Sequence, residues 1–247
     1  MKTIIKILLL VVTSGYSMAT AAQASSKTIT RNTYSWVSIN SNLFVSKKYF
    51  IMADVHVREN NFFASNSFVF GRLGLGYQIN NNLSVAAGYG NLSATPTTAG
   101  WTTRADESRL FEQVQVSSVF KKLKTVQKIR AEQRWQQVIV NDAKTGAQKF
   151  TNRLRYAVSF MYPVFKKEHL PQLVLADECM LQFGKSVVYN TFDQNRVFIG
   201  INQKITTHLS FDAGYMRIFQ QKNNGSSYNK SDVCRLFFYY NLPYKKG

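Results

Sequence analysis

Taking every second residue along much of this chain separates polar positions from apolar ones. In "YFIMADVHVR", Tyr49, Ile51, Ala53, Val55 and Val57 share one face, and Asp54, His56 and Arg58 share the other. In "SFVFGRLGLGY", Val69, Gly71, Leu73, Leu75 and Tyr77 oppose Arg72, Gly74 and Gly76. "LSVAAGYG" sets Leu83, Val85, Ala87 and Tyr89 against Ser84, Ala86, Gly88 and Gly90. "RLRYAVSFMY" sets Leu154, Tyr156, Val158, Phe160 and Tyr162 against Arg153, Arg155, Ala157 and Ser159. "RVFIGINQKI" and "LSFDAGYM" repeat the theme, with Arg196 and Asp212 on the polar side. A period of two held over such lengths is that of a strand, not a helix.

About eleven such segments run from near Tyr34 to near Pro243. Short connections are expected near Ser46–Lys48, Asn80–Asn82, Lys121–Thr125, Lys166–Leu170 and Thr206–His208. Longer polar ones are expected at 59–66, 91–106, 141–149, 184–192 and 220–231, where turn formers collect in "NLSATPTTAG", "NDAKTGAQ" and "KNNGSSYNK". Alternating short and long connections are the pattern of a bacterial outer-membrane barrel. A tilted spanning strand needs about 9–11 residues, which these segments supply. An open sheet edge finds no water in a bilayer, so such a sheet must close. The expectation is an all-β chain forming a single antiparallel transmembrane β-barrel. With both chain ends on one side the strand number is even. Twelve strands are therefore expected, residues 26–33 supplying the extra one, with ten as the alternative. A secreted soluble β-protein alternates in the same way but turns its apolar face inward, and the period alone does not say which face is out.

The first residues read differently. Lys2 and Lys6 precede an apolar run from Ile7 to Val12, and Ala22-Gln23-Ala24 fits a cleavage site. Residues 1–24 are read as a secretory signal peptide and 25–247 as the barrel domain. The expected location is the bacterial outer membrane.

Charge narrows the partners. The chain carries a formal +18, and +16 once Lys2 and Lys6 leave with the signal. A basic balance points to nucleic acid, anionic lipid or an anionic solute. Export argues against nucleic acid, which leaves outer-membrane lipid and an anionic solute. Cys179 and Cys234 are read as unpaired, since a disulfide scaffold uses more cysteines.

The stretch "IRAEQRW" places Ile129, Ala131 and Trp135 on one face and Arg130, Glu132 and Arg134 on the other. In a membrane barrel an Arg facing lipid at the midplane costs about 2–4 kcal/mol, so these charges belong in the lumen. "ESRLFEQVQ" adds Glu107, Arg109, Gln113 and Gln115, "RLRY" adds Arg153 and Arg155, "ADE" adds Glu178, and "DQNR" adds Asp193 and Arg196. The candidate site is an inward, cross-strand paired ladder of Glu107, Arg109, Arg130, Glu132, Arg134, Arg153, Arg155, Glu178 and Arg196 in the upper half of the barrel, near the extracellular mouth, with the lower half lined more by small residues. Glu112 has outward parity. Such a ladder either fills a narrow interior with paired charges or selects anionic solutes.

The succession "ESRLFEQ", "RAEQRW", "NRLRY", "DE" and "DQNR", followed by "GYM", resembles the family known as domain of unknown function 2490, predicted outer-membrane proteins of Gram-negative bacteria. The resemblance runs from about Trp36 onward. It implies a barrel and a location, and it implies no activity.

The histidines and their neighbours offer no catalytic set. His56 has inward parity beside Asp54 and reads as a lumen-filling residue, and His169 falls in a lysine-bearing turn. His208 and Ser210 resemble the His/Ser pair of outer-membrane lipid hydrolases, but Phe211 stands where phospholipases carry asparagine. The pair also falls at a short turn, the wrong end for outer-leaflet lipid. No metal-spaced cluster and no phosphate-binding glycine loop is present. The expectation is a non-enzymatic barrel without cofactor or metal, structural or a narrow channel. The alternatives are a barrel enzyme acting on outer-membrane lipid and a soluble exported β-protein binding an acidic partner.

Overall fold

The structure, a computed structural model, describes residues 27–165 and 170–244. The signal-peptide reading of residues 1–24 and the turn residues Lys166, Lys167 and His169 lie outside the described residues. Eleven strands are present among those described: β1 (Thr28–Phe44), β2 (Tyr49–Asn60), β3 (Ser65–Asn80), β4 (Leu83–Ala94), β5 (Ala105–Phe120), β6 (Leu123–Val140), β7 (Ala143–Pro163), β8 (Gln172–Phe183), β9 (Phe192–Lys204), β10 (Leu209–Gln221) and β11 (Ser227–Leu242).

They form one closed barrel in which sequential strands pair antiparallel and β1 closes on β11. The closing pair is parallel, in register from Thr28↔Ser227 to Leu43↔Leu242. This overturns both the twelve-strand and the ten-strand expectation. Residues 28–33 lengthen β1 instead of forming a strand of their own. With an odd number, first and last strands run the same way, and a parallel ladder satisfies both edges.

The connections also differ from the expectation. Residues 143–149, which carry turn-forming composition, are strand: β6 and β7 make a long hairpin joined only by Asn141-Asp142. Both turn residues have positive φ, 50° and 57°, the geometry of a two-residue type I′ turn whose twist matches the flanking strands. Local propensity was overridden by cross-strand pairing. At the other barrel end, side-chain oxygens close three turns. Ser46 Oγ accepts from the Tyr49 amide at 2.9 Å, Asn80 Oδ1 from the Leu83 amide at 3.0 Å, and Thr206 Oγ1 from the Leu209 amide at 3.0 Å. These are the side-chain-capped turns that Ser, Thr and Asn favour.

The structure decides the face that periodicity left open. Leu73 and Leu75 on the outer wall are 62% and 72% exposed, whereas Arg130, Glu132 and Arg134 are 7%, 3% and 5% exposed inside. Glu112 is outward, beside Gln133. The interior also holds apolar packing where the sequence suggests a lining mainly of small residues. Phe50, Met52, Ala86 and Phe111 cluster with Phe44, while Trp36, Val174, Phe198, Met216, Ile218 and Val233 form a second group. Phe44 and Phe50 flank the β1–β2 turn. Rings lie over bare backbone: a Cβ on Gly76 would meet the Phe50 ring at 2.1 Å. Gly74 and Gly88 face each other across β3 and β4, and a Cβ on Gly88 would lie 2.2 Å from the Leu73 carbonyl oxygen. Glycine there permits the close approach of the two strands.

Candidate functional site: a cationic barrel lumen

Burial and register place the Arg/Glu ladder along an arc of five consecutive strands. Glu107 and Arg109 come from β5, Arg130, Glu132 and Arg134 from β6, Arg153 and Arg155 from β7, Glu178 from β8 and Arg196 from β9. Glu107 accepts from Arg109 Nε at 2.5 Å, from Arg134 Nε at 2.6 Å and Nη2 at 2.8 Å, and from Gln136 Nε2 at 2.7 Å. The two Arg134 bonds form the forked geometry that favours guanidinium over ammonium. Glu132 sits among three guanidinium groups. Arg155 Nη1 donates to it at 2.8 Å, and Arg130 and Arg153 stand 3.7 and 3.8 Å away. Arg155 also reaches Glu178 at 2.6 Å, and Arg196 meets the other Glu178 oxygen at 3.2 Å. Arg153 pairs with Asp193 at 2.8 Å. Arg130 donates to Gln113 Oε1 at 3.0 and 2.5 Å.

Two smaller groups complete the circuit. Arg72 of β3 pairs with Asp54 of β2. Arg235 of β11 donates to Asp212 Oδ2 at 3.0 Å and to the Tyr239 hydroxyl at 2.9 Å, and Tyr239 donates in turn to Asp212. The site residues not included in the ladder were therefore Asp54, Arg58, Arg72, Lys128, Asp193, Asp212 and Arg235. Lys128 was legible from its parity with Arg130. Arg235 is hidden in the sequence because its neighbours from Val233 to Phe238 are apolar on both faces, with Val233 and Phe237 pointing inward beside it.

The groups do not balance. Ten inward cations, Arg58, Arg72, Arg109, Lys128, Arg130, Arg134, Arg153, Arg155, Arg196 and Arg235, face six carboxylates, Asp54, Glu107, Glu132, Glu178, Asp193 and Asp212, an excess of four positive charges. Most pairs share a carboxylate between two or three cations. Arg58 and Lys128 have no carboxylate within 4.0 Å among the described residues. A cavity of about 390 Å³ runs between these groups. One wall carries Arg109, Arg130, Arg153 and Arg155. The opposite wall carries Trp36, Phe68, Phe237 and Tyr239.

The remaining candidates do not come together. His56 lines the cavity among Trp36, Phe70 and Phe237. His208 lies in the β9–β10 turn, where its amide donates to Thr206 Oγ1, and Ser210 is the second residue of β10. Cys179 and Cys234 are free, on β8 and β11. Among the described residues no three His, Cys, Asp or Glu side chains gather as a metal-binding group.

The opposite barrel end carries one further arrangement. Asp142, in the β6–β7 turn, accepts from the Thr102 amide at 2.9 Å and the Thr103 amide at 2.7 Å, and Lys144 pairs with Asp106 at 2.6 Å. The β4–β5 loop is thereby clasped to the hairpin tip. The Thr103 and Thr102 amides hold the Asp142 carboxyl below its ordinary range.

Comparison with known proteins adds the following. The family described as protein of unknown function (DUF2490) matches residues 33–229. No curated protein matches the chain in sequence. Among solved structures, the chain is similar to the NanC porin, with 9% identity over 80% of this chain and 92% of that one, TM-score 0.47. It is similar to the β domain of the Bordetella autotransporter Brka, with 9% identity over 78% and 83%, TM-score 0.45. It is also similar to outer-membrane expressed OmpT of Vibrio cholerae, with 14% identity over 78% and 60%, TM-score 0.41.

Proposed function

The chain belongs to the DUF2490 family of proteins of unknown function, and from that premise we propose that it is an outer-membrane β-barrel whose narrow, cationic lumen admits small anionic solutes. The membrane setting is supported by the outward apolar face. Ile39, Val55, Leu73, Leu75, Ile129 and Ile199 are all more than half exposed around the wall. A soluble protein does not leave so continuous an apolar surface to water. Strands of 12 to 21 residues are long enough to cross a bilayer at a tilt.

One observation carries the functional reading: the four-charge excess around the lumen cavity. A lumen filled for stability alone is served by balanced pairs, because each uncompensated buried charge costs free energy. An excess held in place by shared carboxylates instead lowers the energy of an anion entering the pore. The reading assigns no catalytic residue and no cofactor.

The test is single-channel recording in a planar bilayer with a salt gradient. The expected result is a small conductance with a reversal potential showing anions as the main carriers, shifted toward cations in Arg130→Gln and Arg155→Gln. An ion-tight barrel, or an open one that prefers cations, overturns the reading.

A further inference from the structure

Buried polar atoms without a hydrogen-bond partner among the described residues occur on several strands, and three of them lie together on β1 and β2. Trp36 Nε1, His56 Nδ1 and Arg58 Nε are buried and without a hydrogen-bond partner among the described residues. All three residues line the same cavity, on the neighbouring strands β1 and β2. Buried polar groups are paired in nearly all native structures, so an orphaned cluster asks for a partner. Arg58 also lacks a carboxylate, as noted above. Its guanidinium is fixed by rings instead, 4.4 Å from the Trp36 centre, 4.8 Å from Phe68 and 5.0 Å from Tyr34. Arg196 approaches Trp36 from the β9 side at 4.9 Å. Arg58 is thus positioned by rings without being neutralised.

We propose that this corner of the lumen is a binding subsite for a small organic oxyanion bearing a flat apolar face, of which an aromatic carboxylate is the simplest example. It deepens the anion reading above and rests on the lumen being open to such solutes. The oxyanion takes the Trp36 N–H and the Arg58 guanidinium, with Arg196 supplying further charge. The apolar face packs on Phe68 and Phe237. A cavity of about 390 Å³ lies at the small end of ligand sites, which span about 300–1,000 Å³. The subsite shares Arg196 with the ladder and differs from it in Arg58: every ladder guanidinium already shares a carboxylate or an amide oxygen, and Arg58 has no carboxylate within 4.0 Å among the described residues.

Trp36 makes the test direct. A full-chain variant with Trp101→Phe and Trp135→Phe, folded in detergent, leaves Trp36 as the single indole reporter. It is titrated with sodium benzoate, sodium acetate and benzyl alcohol at constant ionic strength. The expected result is saturable quenching by benzoate, at least tenfold weaker binding of acetate, and none of benzyl alcohol. Arg58→Gln weakens benzoate at least tenfold, and Arg58→Lys recovers part of that loss. Barrel integrity of each variant is read from its gel mobility before and after boiling. Absence of saturable quenching, equal affinity for acetate and benzoate, or wild-type affinity in a folded Arg58→Gln barrel overturns the subsite. A barrel that binds benzoate but does not conduct keeps the subsite and removes the channel. A barrel that conducts anions without binding benzoate does the reverse.

Discussion

Glu132 is the central carboxylate of the ladder, and replacing it with Ala isolates what the network contributes. The structure puts three guanidinium groups around it, at 2.8, 3.7 and 3.8 Å. At an effective dielectric of about 20, Coulomb attraction is about 6 kcal/mol for the closest contact and about 4–5 kcal/mol for each of the others. These gross terms are opposed by the cost of dehydrating four charged groups and by repulsion among the three arginines. Removing one partner from a buried network typically costs about 3–5 kcal/mol, because the other charges stay buried and lose their compensation. Arg155 keeps Glu178 at 2.6 Å and Arg153 keeps Asp193 at 2.8 Å, so the loss belongs at the lower end, about 3 kcal/mol. The assay is urea unfolding in detergent followed by tryptophan emission and extrapolated to zero denaturant. Glu132→Gln, which keeps an acceptor but no charge, falls between wild type and Glu132→Ala. The double variant Glu132→Ala/Arg155→Gln loses less than the sum of the singles, since the second change removes a charge the first left uncompensated. A Glu132→Ala barrel within about 0.5 kcal/mol of wild type, the range of ordinary surface substitutions, refutes the reasoning and means that lumen water screens the ladder.

Leu75→Arg puts a charge on the most exposed leucine of the wall and costs up to about 2–4 kcal/mol of folding into lipid vesicles if that position lies at the bilayer midplane; unchanged folding yield in lipid argues against a membrane-facing wall. Gly88→Ala forces a Cβ against the Leu73 carbonyl, a backbone atom that cannot rotate away, and is expected to destabilise by about 1–3 kcal/mol in the same urea assay. The Asp142 clasp has a defined pH dependence. Its carboxyl is held low by the Thr103 and Thr102 amides, so its contribution is present above the unfolded value, about 3.9, and is lost as pH falls through the lower folded value. Amide exchange at Thr102 and Thr103 should stay slow, after correction for intrinsic rates, down through the ordinary Asp range and quicken only below it; quickening already near pH 5 would show the clasp to be weak.

Much of this barrel was readable in one dimension. Alternation in β2, β3 and β7 marks strands because successive Cβ atoms point to opposite faces, and the same parity groups Arg130, Glu132 and Arg134 together. Parity also showed Glu112 on the face of Leu110 and Val114. What parity does not carry is direction: the same string suits a soluble barrel or an inverted one, and only closure of the sheet shows which set is enclosed. Strand number was equally undetermined. Residues 28–33 are polar apart from Ile29 and carry little alternation, and they are strand through pairing with β11 alongside. The "NDAKTGAQ" segment misled for a related reason, since its small polar residues are strand solely through pairing in the β6–β7 hairpin.

The sequence by itself determined that the chain is built of alternating strands, that like-parity charges share one face of each, and the basic excess, because these follow from side-chain period and composition. Tertiary structure alone decided the odd strand count, the parallel seam and the outward apolar wall. It also decided that Trp36, His56 and Arg58 meet Arg196 across a shared cavity. Those features depend on contacts between residues 199 positions apart in the chain, as between Thr28 and Ser227 and between Leu43 and Leu242 in the seam, and no local pattern encodes the closure that brings them together.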